Sequence, residues 1–201
     1  MIIRLAEGYL RTKFGTFLEI LYYDGQKESI AIVMGDVQGQ DHVLCRLHSH
    51  CVSAHLFNSI DCDCREQMEL AQVMVAQQGA GVIVWLDQDG RGNGHLALVR
   101  SRALQAQGLS QTEAYVQLGY AADARQYTSA AAVLQELGVR SVVLMTNSPR
   151  KIDALQAAGM PIVGTRTLAL DPGTDETLRR FYEDKIAQGH RIALGATAQR
   201  P

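Results

Sequence analysis

Three cysteines stand in a pattern suited to a metal ion: Cys51, and then Cys62-Asp63-Cys64. Thiolate sulfurs bind zinc at about 2.3 Å, and catalytic zinc sites use three protein ligands with one position left open, whereas structural sites close with a fourth. The remaining cysteine, Cys45, lies among the apolar residues of 42–48 and reads as a core thiol. The spacing alone leaves three readings open. These are a catalytic zinc, a structural zinc closed by His48, His50 or His55, and three thiols without a ligand.

Other stretches could hold an anion. Arg46 precedes the polar loop Leu47-His48-Ser49-His50, and arginine grips phosphate bidentately. Gly90-Arg91-Gly92-Asn93-Gly94 could bring backbone N–H groups close to phosphate, although such loops are more often plain turns. Asp123-Ala124-Arg125 is ordinarily a surface pair of little energetic consequence. Thr146-Asn147-Ser148-Pro149-Arg150-Lys151 joins a strand end to a helix start, where N–H groups and a basic residue could meet an anion.

The elements that must position these residues can be read from periodicity. Apolar and β-branched runs predict strands at 16–23, 29–34, 42–48, 81–86 and 140–145, with a turn at Asp24-Gly25. Helical spacing predicts a helix over 65–78 stopped by Gly79, and further helices from the Gly-rich loop to about 107 and over 176–188. Ser110-Gln111-Thr112-Glu113 has capping-box form, Thr128 could cap a helix ending at Gly138, and Ser148-Pro149 suits an N-cap and first helical position. Strand and helix alternate, so the expected fold is α/β (mixed α+β), a single compact domain over 1–201 with a mixed sheet flanked by helices. Residues from about 190 are expected to be flexible.

Composition removes several function classes. The chain has 201 residues, of which 47% are hydrophobic, enough for a substantial core. A net charge of −2 and a pI near 6.3 give no basic field for nucleic acid. An anionic substrate must therefore be held by a few placed cations. No apolar run nears the roughly 20 residues of a membrane span, and the charged start Met1-Ile2-Ile3-Arg4-Leu5-Ala6-Glu7 does not suit a signal peptide. The cytoplasm is the expected compartment.

In combination the motifs become specific. Arg46-x-His48-Ser49-x-Cys51, Cys62-Asp63-Cys64 with Gln67, Gln88-x-Gly90-Arg91, Leu118-Gly119-Tyr120-x-x-Asp123-x-Arg125 and Thr146-Asn147-x-Pro149-x-Lys151 follow one another in a series that resembles GTP cyclohydrolase II, over residues 3 to 189. The resemblance implies one Zn2+ per chain on Cys51, Cys62 and Cys64, with Mg2+ accompanying the triphosphate. It implies hydrolytic opening of the imidazole ring of GTP at C8, with release of formate and pyrophosphate to leave a diaminopyrimidinone ribosyl phosphate for riboflavin synthesis. Asp123 corresponds to the family's proton acceptor, and Arg125 to the arginine held to attack the α-phosphorus. Substrate contacts fall on Arg46, Leu47, His48, Ser49, His50, Gln67, Asp89, Gly90, Arg91, Arg102, Gln111, Thr146 and Lys151. Family members are homodimers, and the implied partner is the nucleotide, with neither nucleic acid nor membrane. No second domain for the other riboflavin-precursor reaction is expected.

The chain departs from the family at four positions. His50 and Asp89 stand where glutamate is usual, Arg102 where a tyrosine lies near the reacting ring, and Gln111 where a threonine touches the nucleotide, with Thr112 beside it. All four fall around the base or the metal. They are compatible with neutral drift. They equally suit a diverged paralogue that acts on another nucleotide or stops at a formylated ring-opened product.

Overall fold

The computed structural model describes residues 1–168 and 175–192. The flexible tail expected from about residue 190 falls mostly outside them. The chain opens with three strands, β1 (Ile3–Thr12), β2 (Gly15–Tyr23) and β3 (Glu28–Met34). Burial alternates along β3 and much of β2, as in strands with one face on a core. The turn between them is closed by Asp24, whose carboxylate accepts from the N–H groups of Gln26 and Lys27.

Next come β4 (Val43–Ser49), the short helix α1 (Val52–Phe57), α2 (Cys64–Gln78) and β5 (Gly81–Leu86). A 3-10 turn at Gly90–Gly92 leads into α3 (His95–Gln105) and α4 (Gln111–Gln117), and then α5 (Thr128–Glu136), β6 (Val142–Met145), α6 (Pro149–Ala157), β7 (Ile162–Arg166) and α7 (Glu176–Ala187). The described strands form one sheet ordered β1-β2-β3-β5-β4-β6-β7. Pairing is antiparallel from β1 to β5 and parallel from β5 through β4 and β6 to β7. The mixed sheet flanked by helices is the architecture expected from the sequence.

The parallel half is covered on both faces, which explains the unbroken apolar runs of β4 and β5. One core joins Cys45, Leu47, Val82 and Val84 to α5 and α6 through Ala130, Leu134 and Leu155. The other places Leu44, Ile83 and Met145 against Ala71 and Val75 of α2. Cys45 is a fully buried thiol in the first core, its pKa pushed up to about 12 by burial.

Several local signals act as expected. Gly79 ends α2 in the left-handed region, and Ser110 with Glu113 closes a complete capping box on α4. Thr128 is the first residue of α5 rather than its cap, and Ser148 precedes α6 without capping it through its side chain. Its own N–H is instead taken by the Thr146 hydroxyl at 3.0 Å.

Candidate active site

The candidate residues gather where the parallel strands β4, β5 and β6 end, the edge at which open α/β sheets place ligands. β4 runs into Cys51, the residue before α1, and Cys64 opens α2. Arg65 fastens the two helices together by donating to the backbone oxygens of Ala54 at 3.1 Å and His55 at 2.6 Å. The sulfurs of Cys51, Cys62 and Cys64 thereby lie within 4.8 Å of one another. Cys51 and Cys62 are 3.8 Å apart and all three are free thiols. A tetrahedral zinc with bonds of about 2.3 Å sets its sulfurs roughly 3.8 Å apart, so the cluster fits that ion. Hydrogen bonds from Cys62 and Cys64 hold the Cys51 thiol down, and the other two are pushed up in return.

No histidine joins this group among the described residues. His48 and His55 instead share a hydrogen bond at 3.0 Å between their Nε2 atoms. His50 lies 3.4 Å from Asp87 and packs on Trp85. Of the donor sets the sequence leaves open, the three cysteines are the ones brought together among the described residues.

Beside the sulfurs lies a buried group of cations. Arg46 points from β4 toward α2, donating to the Met145 carbonyl at 2.9 Å and to Gln67 Oε1. Gln67 in turn donates to Asp63 at 2.6 Å. Lys151 reaches back from α6 to the Leu47 carbonyl at 2.7 Å. Burial drives its pKa far down, and the charges of Arg46, Arg125 and Lys185 push the same way. Arg125 grips Asp123 through Nε at 2.9 Å and through a terminal nitrogen at 2.6 Å. Burial works to raise the Asp123 carboxyl, but the bonds and charge of Arg125, with Arg150 beyond, hold it at about 2. The same pair raises Arg125 against its own burial. The surface pair suggested by the sequence is therefore a largely buried ion pair.

The Gly-rich loop is stitched to this pair. The Arg91 carbonyl accepts from Ala124 N–H at 2.9 Å, and Gln88 Oε1 accepts from Gln126 N–H at 2.7 Å. A Cβ on Gly92 would sit 2.8 Å from the Ala124 backbone, and its φ is +82°, so only glycine allows the approach. Asp89 caps Gly90 N–H at 2.8 Å and holds His95 Nδ1 at 2.7 Å. On this side a cleft of about 390 Å³ opens between His50, Val52, Asp87, Asp89 and His95.

The other expected residues are held by contacts within the protein. The Leu47 side chain is in the core and only its carbonyl faces the site. Ser49 Oγ, by contrast, is buried with no hydrogen-bond partner among the described residues. Arg102 runs from α3 to Ser53 Oγ at 2.7 Å, and Gln111 donates to the Tyr115 hydroxyl at 3.1 Å. Arg91 is turned to α7, donating to Asp184 at 2.7 Å, to Gln188 at 2.9 Å and to Thr112 at 2.7 Å.

The helix α7 was expected from the sequence, but its contribution to the site was not. Tyr182 donates to Asp63 Oδ2 at 2.6 Å, and Lys185 Nζ lies 3.2 Å from Asp63 Oδ1. Burial would raise Asp63, yet Lys185, Tyr182 and Gln67 together lower it. The available signal was that Leu178, Tyr182 and Lys185 share one helix face by their spacing, which put an aromatic hydroxyl and a cation on the buried side.

The model of the GTP cyclohydrolase II family matches residues 4–167. GTP cyclohydrolase-2 of an Enterobacter species is 39% identical over 194 residues, covering 94% of this chain and 97% of that protein. GTP cyclohydrolase-2 of Aeromonas hydrophila is 41% identical over 160 residues, covering 79% of this chain and 81% of that protein. The riboflavin biosynthesis protein RibBA of Bacillus mycoides is 38% identical over 197 residues, and the chain, 96% covered, spans about half of it, 49%. A family match over most of the chain, with relatives similar along nearly all of it, settles the assignment: the chain belongs to the GTP cyclohydrolase II family.

Proposed function

We propose that the protein opens the imidazole ring of GTP by zinc-dependent hydrolysis, releasing formate and pyrophosphate and leaving a diaminopyrimidinone ribosyl phosphate for riboflavin synthesis. The observation that carries this reading is the convergence of Cys51, Cys62 and Cys64 within 4.8 Å, next to buried cations whose charges act on Cys64 or its neighbour Asp63. Zinc held by the three sulfurs would supply Lewis acidity for ring hydrolysis. The base is thus assigned to the metal side and the phosphates to Arg46, Arg125 and Lys151. Mg2+ on the triphosphate and a homodimeric assembly belong to the same reading.

The chain's own residues have separable tasks. Lys151 and Arg46, fixed by backbone carbonyls, offer charge to the phosphate chain without reorganising. Asp123 keeps Arg125 protonated and oriented. A protonated guanidinium has no free pair for attack, so we assign Arg125 to stabilising charge on the phosphates during pyrophosphate release. Gln67 couples Arg46 to Asp63, linking phosphate grip to the loop between Cys62 and Cys64.

The test is to supply the zinc-loaded protein with GTP and Mg2+ and to measure formate and pyrophosphate separately. Both products are expected. Neither appearing from GTP would remove this reading. Pyrophosphate without formate would instead favour a paralogue that stops at a formylated product, a reading supported by Arg102 lying on Ser53, two residues from Cys51.

A further inference from the structure

α7 brings to the phosphate end a cation outside the family motifs. The Lys185 ammonium stands 4.0 Å over the Phe181 ring and 5.4 Å from that of Tyr182. An ammonium has three donors, and among the described residues the hydrogen-bond partner of Lys185 is Asp63, at 3.2 Å. Its charge acts on Lys151, on His48 and on His190. The helix cannot drift from this place easily, because Asp184 is paired with Arg91 at 2.7 Å and both side chains are largely covered.

The group that Lys185 enters is short of negative charge. Asp123 is shared by Arg125 and Arg150, and Asp63 by Lys185, Tyr182 and Gln67. Lys151 meets a neutral carbonyl, and among the described residues buried Arg46 Nε has no hydrogen-bond partner. Burial together with the charges of Lys185, Arg125 and Lys151 holds His190 down to about 3. Desolvated cations crowded in this way are compensated by an anion placed among them.

We propose that Lys185 binds the phosphate chain of the nucleotide beside Arg46, Arg125 and Lys151, which makes α7 a wall of the substrate site. This deepens the GTP reading and rests on it. Asp184 and Gln188 hold the helix on Arg91, and Asp63 holds the ammonium in position between substrate and metal loop.

The experiment is a binding ladder on the full-length zinc-loaded protein by calorimetry, using guanosine, GMP, the α,β-methylene analogue of GTP and inorganic tripolyphosphate. Lys185→Met is expected to weaken the triphosphate analogue and tripolyphosphate by about tenfold or more, GMP by less, and guanosine not at all, as for one lost charge-assisted contact. The dependence of triphosphate affinity on salt should flatten, and Lys185→Arg should restore most of the binding. Equal losses down the ladder, or none, would overturn the proposal in favour of a purely structural helix. If Lys185→Met loses zinc or its folding transition, Lys185→Gln carries the same ladder, and a graded loss or an equal one decides in the same way. A parent that binds tripolyphosphate without distinguishing guanosine nucleotides would sink the GTP reading, while the Lys185 comparison would still stand on tripolyphosphate. A parent that binds neither would sink both.

Discussion

The two ends of the candidate site differ in how their polar groups are satisfied. At the end assigned to the phosphates two cations are buried without a carboxylate partner among the described residues: Lys151 donates to the Leu47 carbonyl and stands 5.7 Å from the Tyr127 ring, and Arg46 Nε has no hydrogen-bond partner there. At the base end each of the four residues that depart from the family pattern has found a partner within the protein. His50 faces Asp87, Asp89 holds His95, Arg102 holds Ser53, and Gln111 holds Tyr115. One end carries buried cations and the other is closed on itself. On the proposed function, binding of the phosphates would draw on charge already desolvated, whereas recognition of the base would compete with hydrogen bonds already made.

The largest expected effects test whether metal and phosphate functions separate along this division. Cys64→Ser should abolish both bound zinc and ring opening, since two thiolates cannot complete a three-ligand site. Metal analysis of the purified variant checks the first loss and formate assay the second. Zinc at the parent's level in that variant would break the division at its metal end. Arg125→Ala should leave the metal in place and lower pyrophosphate release by about 10²–10³-fold, the scale of one lost charge-stabilising group. Undiminished pyrophosphate release would remove Arg125 from the phosphate chemistry.

Legibility in the sequence follows the same line. The cysteine spacing, the arginine before the loop and the capping box at Ser110 are local patterns, and the structure builds them as local units. Strands β2, β3 and β5 announced themselves through alternation or apolar runs. β1 did not, because it is an edge strand with mostly exposed side chains and its pairing is set by β2 rather than by its own pattern. α1 is too short for a period to be visible. The role of α7 was hidden for another reason. Asp63 is separated from Tyr182 by 119 positions and from Lys185 by 122, and only the closed fold brings such groups together. The ion pair of Asp123 and Arg125 was visible as two neighbours, but its burial was not, since the loops that cover it come from residues near 88–92.

A smaller effect probes the strain at the phosphate end. Lys151 is protonated in the unfolded chain up to its ordinary 10.5, whereas burial among cations lowers its folded pKa. Between those two values the unfolded state binds more protons, so the contribution of this group to stability rises with pH. Lys151→Met should therefore stabilise the protein at neutral pH, despite the lost bond to Leu47, by about 1 kcal/mol, or roughly 2–4 °C in melting temperature for a chain of this size. It should also flatten the rise in stability of the parent toward pH 10.5 and weaken triphosphate binding. Melting curves across pH, with nucleotide titration, measure both. A variant less stable than the parent at neutral pH would mean that Lys151 is compensated in the folded state and that the two ends do not differ in this way.

The finest test lies at the base end, at Arg102. Its guanidinium donates to Ser53 Oγ at 2.7 Å, on the helix that Cys51 begins. A tyrosine hydroxyl near the reacting ring can donate and accept, and so can relay a proton as formate leaves, whereas arginine remains charged and only donates. Formate release from GTP should therefore lag behind pyrophosphate release in the parent, with a formylated ring-opened product accumulating. Arg102→Tyr should raise the ratio of formate to pyrophosphate by severalfold, up to about the 10²-fold worth of one proton-transfer group. Ser53→Ala separates two causes, because it frees the guanidinium without supplying a hydroxyl. If the ratio rises with Arg102→Tyr and stays low with Ser53→Ala, the missing proton relay limits the step. A rise in both would place the cause in the hydrogen bond to α1. Stoichiometric formate from the parent, unchanged in Arg102→Tyr, would mean that the base end works as closed on itself and that its departures from the family pattern are neutral.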